Sequence, residues 1–190
     1  MKRTTTTDDG LFDRVEAKKL GYNPAEVDEF MATARKAYNG EGEELTVAQV
    51  QRVDFEVTEG GYDPSQVDDA MDRLEDAVLT KSRNAFIATR GEEAWVAHLE
   101  ELSRLLKARL ERPKGQRFRP PMDAKVQGYR AADVDRFADR LHAFLTQDQA
   151  MSVTDIREAV FDAAVGEQAY DEQQVDVFLN RFVELAAAIQ

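Results

Sequence analysis

The sequence predicts an all-α fold, assembled from four helical repeats in two pairs that a connecting helix joins. Three observations lead to this prediction. One eight-residue motif occurs four times, an amphipathic stripe follows each occurrence, and glycine and proline are scarce, at 10 and 5 of 190 residues. Few turn-forming residues favour long helices over many short strands. Apolar stripes on separate helices must cover one another, so they indicate a compact helical assembly.

The motif contains a tyrosine that is followed five residues later by a valine and six residues later by an aspartate. Its occurrences, motifs one to four, are residues 21–28, 61–68, 128–135 and 169–176. The twelve shared residues are Tyr22, Val27, Asp28, Tyr62, Val67, Asp68, Tyr129, Val134, Asp135, Tyr170, Val175 and Asp176. Four occurrences with the same spacing predict four copies of one structural motif, in which these residues have structural roles.

Each motif has the features of a helix start. The predicted N-caps are Asn23, Asp63 and Asp171, and the predicted capping-box residues three positions later are Glu26, Gln66 and Gln174. Arg130 occupies the cap position of motif three, so that start should be the weakest. We predict helices from about residues 24, 64, 131 and 172, with the four tyrosines largely buried where these helices begin. Strand pairing of the Gly-Tyr segments would contradict the repeat argument.

Further helices are predicted before and between the motifs. Short leader helices near 46–54 and 152–160, capped by Thr46 and Ser152, precede motifs two and four. Trp95, Leu99, Leu102, Leu106 and Leu110 follow helical spacing and predict a helix near 92–111. The predicted organisation is a flexible tail (1–10), motifs one and two (11–80), a connecting helix (81–113) and motifs three and four (114–190).

The leader, a phenylalanine and the Gly-Tyr motif together resemble the N-terminal domain of the DivIVA proteins. Residues 45–71 and 151–179 carry nearly the whole pattern, and all four motifs cover roughly three quarters of the chain. The resemblance implies a bacterial, cytoplasmic, non-catalytic scaffold or adaptor that binds division or envelope proteins during cell division or polar growth. In that family two chains form an intertwined unit. Here we expect neighbouring repeats to pair within one chain, giving a monomer or weak homodimer.

The resemblance also suggests membrane contact, because DivIVA proteins are thought to bind lipid through an exposed phenylalanine beside basic residues. Similar chemistry occurs in two segments, so the candidate partner or lipid patch comprises Lys18, Lys19, Arg117, Phe118 and Arg119. The alternative function is therefore a sensor peripheral to the inner membrane. A second interpretation of residues 112–121 is a linker whose arginines pair with acidic helices.

Composition and residue types argue against several other classes of protein. A net charge of −12 disfavours nucleic acid as a partner, and the absence of cysteine excludes a thiolate metal site. The motif aspartates have no histidine beside them, and His98 and His142 have no neighbouring ligands, so we predict no catalytic, cofactor-binding or metal site. If the chain binds a partner, we expect an amphipathic or basic peptide in a groove between helices.

Overall fold

The computed structural model describes residues 10–147 and 149–189 and divides the chain into two compact units, residues 1–85 and 86–190. Except for Gly10, the predicted flexible tail lies outside the described residues. The described part is mostly helical and contains two small antiparallel sheets. Within it, no helix is long and apolar enough to cross a membrane.

The first unit combines a two-stranded sheet with three helices. Its elements are β1 (Leu20–Tyr22), α1 (Pro24–Asn39), α2 (Val47–Gln51), β2 (Val57–Glu59) and α3 (Pro64–Arg90), whose last five residues belong to the second unit. Strands β1 and β2 are antiparallel, and a separate bridge joins Tyr22 to Tyr62. The core of this unit centres on the buried residues Val27, Phe55, Tyr62 and Val67.

The second unit combines a three-stranded sheet with four helices. Its elements are α4 (Glu92–Leu110), β3 (Gln127–Arg130), α5 (Ala131–Thr146), α6 (Val153–Arg157), β4 (Ala163–Val165), a 3-10 turn (Gly166–Gln168), β5 (Ala169–Tyr170) and α7 (Glu172–Ile189). Strand β3 lies between β4 and β5 and is antiparallel to both. Helix α4 packs against α5 and α7, which bury their apolar stripes in the core.

The helices that follow the motifs begin where the sequence predicts, at residues 24, 64, 131 and 172. Each predicted cap accepts a backbone hydrogen bond through its side chain: Asn23 from Ala25, Asp63 from Ser65 and Asp171 from Gln174. The side chain of Arg130 makes no capping hydrogen bond. The leader helices α2 and α6 have complete capping boxes but end at residues 51 and 157, earlier than predicted.

The prediction of an all-α fold is wrong at the Gly-Tyr segments. The Gly-Tyr segments of motifs one and three and the matching Ala169–Tyr170 of motif four form strands, and Tyr62 of motif two forms a bridge to Tyr22. The repeat argument therefore fails in its original form, which treated each motif as a helix start alone. The pairing is possible because Gly21 lacks a side chain: a Cβ atom there would lie 2.3 Å from the carbonyl oxygen of Tyr62.

The predicted connecting helix over residues 81–113 is two helices. Helix α3 continues to Arg90 and is 27 residues long, longer than the stripe of motif two suggests. The chain then breaks at Gly91, whose φ of 87° is disfavoured for residues with a side chain, and α4 begins. Four of the five stripe residues on α4 are buried, whereas Leu99 is half-buried.

Candidate functional site

The motif tyrosines make aromatic contacts that cross between the two motifs of each unit. Each ring packs against a phenylalanine that precedes the other motif, not its own. The pairs are Phe12 with Tyr62, Phe55 with Tyr22, Phe118 with Tyr170, and Phe161 with Tyr129, at centroid distances of 5.5, 5.6, 5.3 and 5.2 Å. Such ring pairs contribute about 0.5–1.5 kcal/mol beyond their buried area. The contacts therefore hold the two motifs of a unit together.

The residue after each phenylalanine, here called the post-Phe residue, makes a matching backbone contact. These residues are Asp13, Glu56, Arg119 and Asp162. The carbonyl oxygen of each accepts a hydrogen bond from the cap residue of the other motif, at N–O distances of 2.8 Å from Asp63, 2.8 Å from Asn23, 2.9 Å from Asp171 and 2.6 Å from Arg130. The same exchange thus occurs in both directions within each unit.

The residues three positions after the cap positions complete this exchange; they are the predicted capping-box residues in motifs one, two and four, and Asp133 in motif three. The side chains of Gln66, Glu26, Gln174 and Asp133 accept from the backbone N–H groups of Asp13, Glu56, Arg119 and Asp162, respectively. The expectation that Glu26, Gln66 and Gln174 complete capping boxes is therefore wrong, because the backbone N–H groups of their cap residues donate to the post-Phe carbonyls; Glu26 does accept from the side-chain amide of its own cap residue, Asn23, at 3.2 Å. Each instead binds the chain that passes the start of its helix, because that chain brings a backbone donor that needs a partner.

The motif aspartates bind the tyrosines of the opposite motif. The hydroxyl of Tyr62 donates to Asp28 at 3.0 Å, and that of Tyr170 donates to Asp135 at 3.1 Å. Burial raises the pKa of Tyr22, and the charge of Asp68 and a hydrogen bond to it raise the pKa further. Burial and Asp176 act in the same way on Tyr129 and raise its pKa to about 12.

The four tyrosines, predicted to be largely buried, differ in how far they are covered. Tyr62 and Tyr170 have 1% and 2% of their surface exposed, whereas Tyr22 and Tyr129 are half-buried. All four motif valines are buried. The pKa of Tyr62 is raised by burial and then by its hydrogen bond to Asp28, and burial, followed by Asp135, raises that of Tyr170 to about 12. The shared motif residues therefore occupy the contact between motifs.

The candidate patch residues of the second unit differ strongly in exposure. The side chain of Arg117 is 7% exposed and donates to the carboxylate of Asp139 and the carbonyl oxygen of Asp135, both at 2.7 Å. Phe118 is also buried, against Tyr170 and Phe178. Only Arg119 is exposed. Because Phe118 and Arg117 are buried, this segment does not present an exposed phenylalanine beside basic residues, as lipid binding would need. The ion pair of Arg117 with Asp139 fits the second interpretation, in which the arginines of this linker pair with acidic helices.

The candidate patch residues of the first unit are both on the surface. Lys18 and Lys19 lie in an exposed turn before β1, and the Nζ atom of Lys19 is 3.4 Å from Glu16. The neighbouring Leu20 is 61% exposed. Phe12 is half-buried against Tyr62 and is not free to enter a lipid surface. The exposed basic and apolar groups here are therefore Lys18, Lys19 and Leu20.

The histidines lie on helices and have single acidic neighbours. His98 Nε2 is 3.0 Å from Glu184 Oε1, and its ring packs beside Trp95. His142 Nε2 is 4.0 Å from Glu111 Oε1. Among residues 10–147 and 149–189, no cluster of three or more histidines, aspartates and glutamates could hold a metal ion.

No protein-family profile, curated protein or solved structure matches the chain.

Proposed function

We propose that the protein is a non-catalytic scaffold or adaptor, built from four DivIVA-like repeats that pair within the chain. A repeat in this proposal is a phenylalanine segment, a short strand and a helix, which replaces the purely helical repeat expected from the sequence. The single observation that supports it most is the exchange of phenylalanine and post-Phe contacts, found in both directions in both units.

The chemistry of the motif supports a role in assembly. Tyrosine and aspartate, the polar groups that all four motifs share, bind each other across the pair. Tyr62 with Asp28 and Tyr170 with Asp135 are the two pairs with the deepest tyrosines. Groups used in this way hold the halves of a unit together, which leaves the outer helix faces for partner proteins. The DivIVA resemblance suggests division or envelope proteins as partners and the cytoplasm as the location.

Internal pairing also has a consequence for oligomeric state. The two-chain contact that the resemblance implies would be formed between motifs of one chain, so we expect a monomer or weak homodimer at micromolar concentration. Sedimentation equilibrium at several concentrations tests this part. A dimer that survives dilution to nanomolar concentration would show that the motifs also pair between chains.

One observation favours the alternative, a membrane-associated sensor. Lys18, Lys19 and Leu20 form an exposed basic and apolar turn, a combination that can contact an anionic lipid surface. The alternative predicts that the protein co-sediments with anionic vesicles and that Lys18→Gln/Lys19→Gln reduces this binding. Arg104→Gln/Lys107→Gln, on the exposed face of α4, removes the same number of charges and is the matched control.

Affinity capture followed by reconstitution tests the scaffold proposal. The tagged protein is used as bait in the source organism, and each captured protein is purified and tested for direct binding. Saturable binding of at least one division or envelope protein supports the proposal. Vesicle binding without any direct protein partner would support the membrane alternative instead.

A further inference from the structure

A groove in the second unit lies between α4 and α7 and has an apolar floor. Its volume is about 490 Å³, and Leu102, Leu106, Phe118 and Phe178 are buried residues that line it. At its opening, Leu105 and Val177 remain 45% and 43% exposed. The groove therefore presents apolar surface that a stripe of apolar side chains could cover.

Four arginines surround this apolar floor. Arg109, Arg112, Arg119 and Arg181 line the groove, together with two glutamines and no aspartate or glutamate. Within the described part of the chain, none of the four forms an ion pair. Arg109 lies over the Phe118 ring and donates to the carbonyl oxygen of Arg117 at 2.9 Å. The groove is thus a concentrated positive site on a protein of net charge −12.

The pKa of Arg109 is lowered, as expected for a guanidinium group that has a positive neighbour and no counter-charge. Burial lowers the pKa of the guanidinium, and the positive charge of Arg112 lowers it further. A bound carboxylate would oppose the second effect by supplying the missing counter-charge. Arginine also forms paired hydrogen bonds to carboxylates, so four arginines favour glutamate and aspartate side chains in particular.

The shape of the groove favours a helical ligand. It follows helix α4 from Leu102 to Arg109 and helix α7 from Gln173 to Arg181, which is about 10–12 Å, or about two turns of helix. Its lining contains no strand residue, so a peptide could not bind by extending a sheet. An amphipathic helix would place its apolar stripe on the floor and its flanking acidic residues beside the arginines.

We propose that this groove binds an acidic amphipathic helix of a partner protein. The inference rests on the proposed scaffold function and specifies the chemistry of one partner. It also changes the expectation drawn from sequence, because an amphipathic or basic peptide was expected and the arginines select the acidic kind. An anionic membrane is the competing ligand, but the floor lies between two helices and suits an inserted stripe better than a flat surface.

Fluorescence anisotropy with a designed probe tests the proposal. The probe is a labelled peptide of about 16 residues, with leucines at helical i, i+3 and i+4 spacing and glutamates on both flanks. We expect saturable binding that weakens as salt is raised, and binding about tenfold weaker for the same peptide with lysines in place of the glutamates. Equal binding of the two peptides would overturn the proposal.

Two variants locate the binding in the groove. Arg112→Gln/Arg181→Gln removes two exposed guanidinium groups and should weaken binding about tenfold. Val177→Asp places a negative charge at the groove opening and should have a similar effect. The control Arg104→Gln/Lys107→Gln removes two exposed charges from α4 outside the groove and should bind like the unchanged protein. Circular dichroism and Trp95 fluorescence confirm that each variant is folded.

Binding to vesicles and binding to the captured partner distinguish a lipid ligand from a protein ligand and test whether the partner uses the groove. Anionic vesicles of phosphatidylglycerol that bind in an Arg112- and Arg181-dependent way, while the peptide does not, would overturn the proposal in favour of lipid. A captured partner whose binding survives Arg112→Gln/Arg181→Gln and Val177→Asp would overturn the groove assignment and leave the scaffold function intact. Loss of that binding in both variants, but not in Arg104→Gln/Lys107→Gln, would support the groove.

Discussion

Gly21→Ala should destabilise the first unit, because Gly21 lies where two backbones cross. An added Cβ atom would be 2.3 Å from the carbonyl oxygen of Tyr62 and 2.8 Å from the carbonyl carbon of Gly61. Both contacts are with backbone atoms, which cannot rotate away as a side-chain end can. The two chain segments must therefore separate to accommodate alanine.

The expected loss of stability has two parts. Forcing an extra carbon into a well-packed position costs about 1–3 kcal/mol. Separation also weakens the reciprocal hydrogen bonds between Tyr22 and Tyr62, whose N–O distances are 3.0 and 2.8 Å, and each bond contributes about 0.5–1.5 kcal/mol. We therefore expect the free energy of unfolding to fall by about 2–4 kcal/mol.

Urea unfolding followed by circular dichroism at 222 nm measures this change, and amide hydrogen exchange at Tyr22 and Tyr62 locates it. The matched control is Gly42→Ala, because a Cβ atom at Gly42 would be no closer than 4.0 Å to its neighbours. The control should change stability by less than about 1 kcal/mol. If Gly21→Ala unfolds at the same urea concentration as Gly42→Ala, the close crossing of the two motifs does not exist in solution.

Two further predictions concern the second unit. Asp135→Ala should lower the free energy of unfolding by about 3 kcal/mol, because Asp135 accepts from Tyr170 and Gly115 and lies beside buried Arg117. Asp28→Ala should lower it by about 1 kcal/mol. Equal losses for the two variants in urea unfolding would refute this difference. Stability should also fall between about pH 10 and pH 12, because Tyr129 and Tyr170, with pKa values raised to about 12, stay protonated in the folded state while unfolded tyrosines ionise. Absorbance at 295 nm follows this ionisation, and titration of every tyrosine near pH 10 in the folded protein would contradict it.

Local signals in the sequence predicted the helices well. Asn23, Asp63 and Asp171 specify where helices begin because their side chains act on backbone groups only two or three residues away. The leader caps Thr46 and Ser152 work by the same local rule. Because a cap residue and the backbone group that it binds lie within one helical turn, the sequence pattern alone predicts where these helices begin.

The contacts between motifs were harder to predict because they join distant residues. Gln66 looks like a local capping residue, yet it binds Asp13, 53 residues away in sequence. The post-Phe residues contribute through their backbone, and Asp13 and Arg119 have opposite charges, so no shared side chain marks these positions. The sequence identified the tyrosines and aspartates as structural but assigned them to helix starts rather than to pairing between motifs.

The arginine groove also depends on tertiary structure. Arg112, Arg117 and Arg119 are close together in one basic segment, and the sequence does not indicate which of them is buried and paired. Folding buries Arg117 beside Asp135 and Asp139 and leaves Arg112 and Arg119 facing the groove, where Arg181 joins them from 62 residues beyond Arg119. The difference between a paired and an unpaired arginine appears only once α4, α5 and α7 pack.

The reciprocal contact between motifs, formed within one chain, permits asymmetry. In a symmetric dimer of identical chains, any substitution occurs at both related positions and must be tolerated at both. A pair of linked motifs has no such restriction. Motif four accordingly has Ala169 where motif two has Gly61, and Asp135 lies beside a buried arginine while its counterpart Asp176 is exposed. One half of such a unit can evolve a binding surface while the other half keeps the pair folded.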